Sequence, residues 1–178
     1  MRRSDLELIL RRAGAVAREK HFILFGSQAI WGLLENVPRE LTFSLEIDLY
    51  PRTRTQAVLL IEEKLGRASR FNRRYGCYAD CVTPEVACLP DGWLKRLVPF
   101  RTTKTRGVTG WCVELHDLAV SKLVVGREKD YAFVQILLKK RCVEAEILKE
   151  RSKVLPINMA RKKALMRKIN AISKTRRP

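Results

Sequence analysis

Glu46 and Asp48 stand two residues apart in the most regular stretch of the chain. From Leu41 to Tyr50 the odd positions are Leu41, Phe43, Leu45, Ile47 and Leu49, and the even ones Thr42, Ser44, Glu46, Asp48 and Tyr50. A period of two predicts a strand with one buried and one polar face. Both carboxylates then point the same way, roughly 7 Å apart along the strand. Two carboxylates so close repel unless a cation sits between them. Magnesium suits such a pair, because it accepts one or two protein carboxylates and completes its shell with water and phosphate. The same pattern also fits the solvent face of a half-buried strand, so the pair alone leaves both readings open.

Gly26-Ser27 is the second feature with chemical content. The apolar run Phe22-Ile23-Leu24-Phe25 stops at Gly26, and Ala29, Ile30, Leu33 and Leu34 predict a helix from Ser27 that ends before Val37-Pro38. A glycine corner between a strand and a helix start can admit a phosphate, with backbone N–H groups and the serine hydroxyl as donors. It is also an ordinary turn and cap. A Gly-Ser corner after one strand and an acidic pair on the next is the more informative combination.

Phe25-Gly26-Ser27 followed by Glu46-Ile47-Asp48 resembles the nucleotidyltransferase superfamily related to DNA polymerase β. Leu115-His116-Asp117-Leu118-Ala119-Val120-Ser121-Lys122-Leu123 and Gly126-Arg127-Glu128-Lys129-Asp130 resemble the later motifs of the minimal and AbiEii-type members, which belong to bacterial toxin–antitoxin systems. The segment Tyr78 to Pro99 is similar to an uncharacterised bacterial branch of that group. The resemblance implies a nucleotidyltransferase fold and an enzyme that moves an NMP from an NTP to a hydroxyl of tRNA or protein. It implies Mg²⁺ held by Glu46 and Asp48, with Asp80 as candidate third carboxylate and Glu85 behind it. Gly26 and Ser27 would bind the β and γ phosphates, Lys122 would add charge to the triphosphate, and Asp130 would be the acid of the last motif. A cognate toxin or antitoxin protein is the implied partner. Two departures stand out: Glu46 replaces the usual aspartate, and Asn36 to Glu40 lengthen the gap after Ser27. They leave a second possibility, an inactive homologue that binds RNA or a partner protein. On the residues alone, Lys122 is also an ordinary helix lysine, and Asp130 an acid favoured in a helix's first turn.

The elements that must position these groups follow from periodicity. Ser4 is a plausible N-cap for an amphipathic helix through Ala17. A helix spans Gln56 to Leu65, and a strand Tyr75 to Val82. Leu94–Phe100 and Val108–Leu115 form a hairpin across Arg101 to Gly107. Helices then follow over His116–Val125, Glu128–Lys140 and Asn158–Ile172, with a short turn near Glu144 to Lys149. The expected fold is α+β, a small mixed sheet packed by helices, with a helical C-terminal part. Residues 1–140 form the nucleotidyltransferase domain and 141–178 a basic helical extension.

With 36 Lys and Arg against 19 Asp and Glu, the 178-residue chain carries +17, which favours a polyanionic partner such as RNA or nucleoside phosphates. Eleven basic residues from Lys149 to Arg177 face only Glu150, so this tail holds +10 of the total. Its helix would pack on Ala160, Ala164, Leu165, Ile169 and Ile172. The tail lacks the aromatic side chains that stack bases, so an RNA face and a solvated helix both fit. Five cysteines without paired zinc spacing argue for reduced thiols. No run approaches the roughly 20 apolar residues that span a bilayer, and the first residues lack a signal peptide's apolar middle. The expected location is the cytoplasm, away from membranes.

Overall fold

The computed structural model describes residues 1–174, and the chain divides into two compact units. The first comprises Met1–Ala87 and Leu97–Val113, and the second Cys88–Arg96 and the chain from Glu114 onward.

The first unit is built on strands β1 (His21–Leu24), β2 (Glu46–Pro51), β3 (Tyr78–Cys81), β4 (Val98–Phe100) and β5 (Thr109–Cys112). They form one sheet in the order β3-β2-β1-β5-β4. β1 runs antiparallel to β2 and parallel to β5, β2 is parallel to β3, and β4 is antiparallel to β5. The fold is thus the expected α+β arrangement on a small mixed sheet. A parallel neighbour requires a crossover connection. Between β2 and β3 that crossover is α2 (Val58–Leu65) and the short α3 (Arg70–Tyr75). Helix α1 (Arg3–Ala17) buries Leu6, Ile9, Leu10 and Ala13, one stripe at helical spacing, and packs with α2 over the face that carries Leu24, Ile47 and Leu49.

Several boundaries differ from expectation for identifiable reasons. The strand expected from Leu41 begins only at Glu46, after a 3₁₀ turn at Arg39–Leu41. Phe43 and Leu45, placed on the buried face by alternation, are 78% and 53% exposed. Alternate burial needs a neighbouring strand and a covering layer, and β1 has already ended at Leu24. The helix expected from Ser27 is a 3₁₀ turn, Ser27–Gly32. In this turn the buried Gln28 accepts from Trp31 Nε1 at 2.9 Å, a pairing that suits a three-residue repeat. Ser4 lies inside the first turn of α1 rather than capping it. Asp5 takes that role by accepting the Arg2 N–H at 2.7 Å. The strand expected from Tyr75 starts at Tyr78, because Ser69 caps α3 through the Asn72 N–H at 3.1 Å. The expected hairpin is present as β4 and β5, but its first strand is shorter than expected, because Trp93–Arg96 is a 3₁₀ turn.

The second unit is helical: α4 (Leu115–Val125), α5 (Glu128–Lys139), α6 (Ala145–Lys153) and α7 (Met159–Lys174). The turn expected near Glu144 is the full helix α6. Leu165 and Ile169 of α7 are buried as expected, but Ala160 and Ala164 are exposed. The buried stripe lies on the face that meets α5 and α6, and the alanines lie off it. Arg176 and Arg177 of the basic tail lie outside the described residues. Asp117 is fully buried between Arg96 (2.8 Å) and Arg151 (3.3 Å), so its charge is compensated from two segments of the unit. The five cysteines are free. Among the described residues, no helix is long and apolar enough to cross a membrane.

In the first unit, Glu19 joins the start of β1 to the end of β2. Its carboxylate accepts the N–H groups of Lys20 (2.7 Å), His21 (2.9 Å), Thr53 (2.9 Å) and Arg54 (3.1 Å), and the Thr53 hydroxyl. Burial alone would raise its pKa, but these donors outweigh burial and lower it from 4.5 to about 2. A depressed carboxylate stabilises the fold above its unfolded pKa, and that contribution disappears as pH falls through the folded value. Glu19→Gln should therefore cost up to about 3 kcal/mol at neutral pH. Its difference from wild type should shrink steadily between pH 4.5 and about 2, as followed by denaturant unfolding.

Candidate functional site

On β2 the burial alternates: Ile47, Leu49 and Pro51 enter the core, while Glu46, Asp48 and Tyr50 lie half-buried on the opposite face. The parallel pairing with β3 sets Glu46 beside Tyr78 and Asp48 beside Asp80. Paired residues on neighbouring strands share a face, so these four side chains form a two-by-two patch. The spacings are roughly 4.8 Å across the strands and 7 Å along them. Three of the four are carboxylic acids.

The fourth is a phenol, and it is engaged. Tyr78 donates its hydroxyl to Glu46 Oε2 at 2.9 Å. Burial, that hydrogen bond and the Glu46 charge all raise the Tyr78 pKa above its ordinary 10, so the hydroxyl stays a donor.

Gly26 completes the patch. The Phe25 N–H donates to Asp48 O at 2.9 Å, which extends the β1–β2 ladder by one rung. The next residue turns away at φ 63° and ψ −177°, a positive-φ region that is essentially confined to glycine. A Cβ on Gly26 would stand 1.5 Å from Asp48 Oδ2 and 2.6 Å from its Cγ. The backbone of the turn therefore lies directly against the Asp48 carboxylate. Ser27 opens the 3₁₀ turn half-buried beside it.

This donor set is all hard oxygen, with Asp48 and Asp80 in register and Glu46 one step along. Among the described residues, no three His, Cys, Asp or Glu side chains stand close enough to hold an ion by themselves. Magnesium does not need three. One or two carboxylates, with water and substrate phosphate completing the shell, are its usual protein ligands, and the residues present fit that demand.

Two further sequence candidates, Lys122 and Asp130, lie in the second unit, paired with each other. Asp130 is the third residue of α5 and is buried; it accepts the Arg127 N–H at 3.3 Å and Arg127 Nε at 2.7 Å. Lys122 on α4 reaches it at 3.4 Å, with its ammonium 4.8 Å from the Phe133 ring centroid. Burial would raise the Asp130 pKa, but the Arg127 hydrogen bond and the Lys122 charge win and lower it. Glu85, in the first unit, sits in a 3₁₀ turn, Pro84–Val86. His116, in the Leu115-His116-Asp117 motif, holds Glu114 Oε1 at 2.8 Å through Nδ1 and accepts the Glu144 N–H at Nε2 (3.1 Å). Its two nitrogens thereby join α4 to the start of α6.

Sequence reasoning missed Tyr78, because its partner is 32 residues away in the chain and only the β2–β3 register joins them. It also missed a cluster at the other end of the sheet face. There Trp111 Nε1 donates to His21 Nδ1 at 3.3 Å, and the Arg52 guanidinium stands 5.3 Å from the Trp111 ring centroid. Ile23 pairs with both Trp111 and Tyr50, so this cluster shares the face that carries Asp48. The only sequence signal was aromatic and basic types at strand ends.

The contact between Gly26 and Asp48 can be measured. Gly26→Ala should destabilise the protein by more than the roughly 1–3 kcal/mol of backbone strain that alanine meets at this φ and ψ. In an Asp48→Ala background, which removes the clashing carboxylate, most of the excess should vanish. Thermal unfolding of the four proteins of this cycle gives the coupling energy.

A family model described as "Nucleotidyltransferase of unknown function (DUF6036)" matches residues 4–174. No curated protein and no solved structure matches the chain significantly.

Proposed function

The chain belongs to this family of nucleotidyltransferases, and on that premise we propose that it moves an NMP from an NTP to an acceptor hydroxyl at the β2–β3 patch. The observation that carries this reading is Asp48, in register with Asp80 and backed by the positive-φ Gly26. One or two of Glu46, Asp48 and Asp80 would hold Mg²⁺, with water and phosphate completing its shell. When bound, the ion neutralises charge on the phosphates and so lowers the barrier to transfer. Gly26 lets the backbone approach the β and γ phosphates, and Ser27 offers them a hydroxyl. The acceptor oxygen forms its bond to the α-phosphorus as the bond to the bridging oxygen breaks, and pyrophosphate leaves. Within the second unit, Asp130 holds the Lys122 ammonium in place.

The acceptor we favour is RNA, tRNA among the candidates, over protein. The net charge of +17 supports it, as does the Arg52–Trp111–His21 cluster on the same face, where a base can stack. By resemblance to the AbiEii-type enzymes, the setting is a bacterial toxin–antitoxin or phage-defence system, with a cognate protein partner.

A second reading has its own support. Glu46 replaces an aspartate, and no ready-made three-ligand group exists among the described residues. A silent nucleotidyltransferase fold would bind RNA or a partner through its basic surface. On α7, Lys163 and Arg167 meet no carboxylate among the described residues, whereas Lys149 and Lys153 on α6 are paired with Glu146 and Glu150.

Purified protein incubated with each α-labelled NTP, Mg²⁺ and total bacterial RNA should transfer label to RNA. Asp48→Ala should reduce transfer by about a thousandfold, since several kcal/mol of charge stabilisation are lost. Label on protein instead would move the acceptor class. Absence of label with every nucleotide, despite measurable RNA binding, would favour the silent module. Trp111→Ala should raise KM for RNA roughly tenfold and leave KM for the NTP unchanged, as loss of one stacked base requires.

A further inference from the structure

Glu46 poses a geometric difficulty that its neighbours do not. Asp48 and Asp80 reach the patch on short arms, each with one χ bond before the carboxyl group. Glu46 carries one more methylene and one more rotatable bond, so its carboxylate reaches farther and wanders more. Magnesium demands near-ideal geometry and tolerates such freedom poorly. A glutamate in this position needs something that selects one rotamer.

The β2–β3 register supplies it. Tyr78 stands directly across from Glu46, as Asp80 stands across from Asp48. Its ring is a rigid arm with two χ angles, and its hydroxyl meets Glu46 Oε2 at 2.9 Å. The hydrogen bond occupies one carboxylate oxygen and leaves Oε1 for another ligand. The pairing is specific to the longer side chain, because an aspartate at this position would fall short of the hydroxyl by roughly one C–C bond, about 1.5 Å.

We propose that Tyr78 is a positioning residue for Glu46: its hydroxyl locks the glutamate's longer arm so that the glutamate can serve as a metal ligand where an aspartate would need no such support. Partners of this kind, hydrogen-bonded to a ligating group rather than to the ion, typically change metal affinity 10- to 100-fold when removed. The inference presupposes the metal site of the proposed function and adds to it the device that makes Glu46 competent.

The test uses Mn²⁺ as a paramagnetic probe of the full-length protein, with free Mn²⁺ quantified by electron paramagnetic resonance in the absence of nucleotide. Four proteins are compared: wild type, Tyr78→Phe, Glu46→Asp, and the double variant. Tyr78→Phe should weaken Mn²⁺ binding roughly tenfold, while far-UV circular dichroism and thermal unfolding without metal confirm that the fold is retained. In the Glu46→Asp background the same Tyr78→Phe change should have no further effect, because the shorter carboxylate does not reach the hydroxyl. Equal affinity of wild type and Tyr78→Phe would overturn the role of Tyr78 while leaving the metal site standing. An equal loss in both backgrounds would overturn it too, since Tyr78 would then act other than through Glu46. Absence of Mn²⁺ binding by wild type would remove the metal site itself, and this inference with it.

Discussion

Carboxylates on adjacent strands repel, and nothing in the core of this protein requires them to be there. The β2–β3 register nonetheless sets Asp48 beside Asp80, and the β1–β2 ladder brings the backbone of Gly26 against the same carboxylate. Three other features of the first unit serve that geometry. β1 must end where it does, so that the chain turns away at a residue without a side chain. α2 and α3 must fill the crossover, so that β3 returns parallel. Ile47 and Leu49 must lie under α1 and α2, so that the alternate positions face outward. The hydrophobic effect holds the strand in place, and the strand holds the acids together.

Much of this is legible in the sequence. Period two over Glu46 to Tyr50 gave the strand and its acidic face, and the apolar run ending at Gly26 gave β1. Asp80 was nameable because Tyr75 to Val82 read as a strand, although its pairing partner was not. The limits are equally physical. Alternation from Leu41 to Leu45 mimicked a strand, but a periodic sequence becomes one only with a neighbour to pair with. Ser27 opened a 3₁₀ turn because Gln28 and Trp31 bond to each other, a pairing that helix periodicity does not reveal. Tyr78 was invisible as a site residue because register is set by tertiary packing.

The second unit shows the opposite use of charge. Asp117 and Asp130 are buried and answered by Arg96, Arg151, Arg127 and Lys122. Removing one member of such a cluster strands its partners, so it fixes helix packing more than it adds net stability. Lys122 therefore has a structural occupation visible in the fold, whatever else its charge does. In the first unit three acids share one face of β2 and β3 instead, and the phenol of Tyr78 donates to one of them.

Because side chains alternate faces along a strand, one residue gained or lost between Glu46 and Pro51 would turn Asp48 into the core and send Leu49 outward. Length changes among residues 42–45, which lie outside β2 and carry the exposed Phe43 and Leu45, leave that alternation untouched. The chain thus contains a tolerant joint immediately ahead of an intolerant one. Related chains should vary in loop length up to Leu45 and hold an invariant residue count from Glu46 to Pro51, so that gaps in their alignment mark the start of the functional strand.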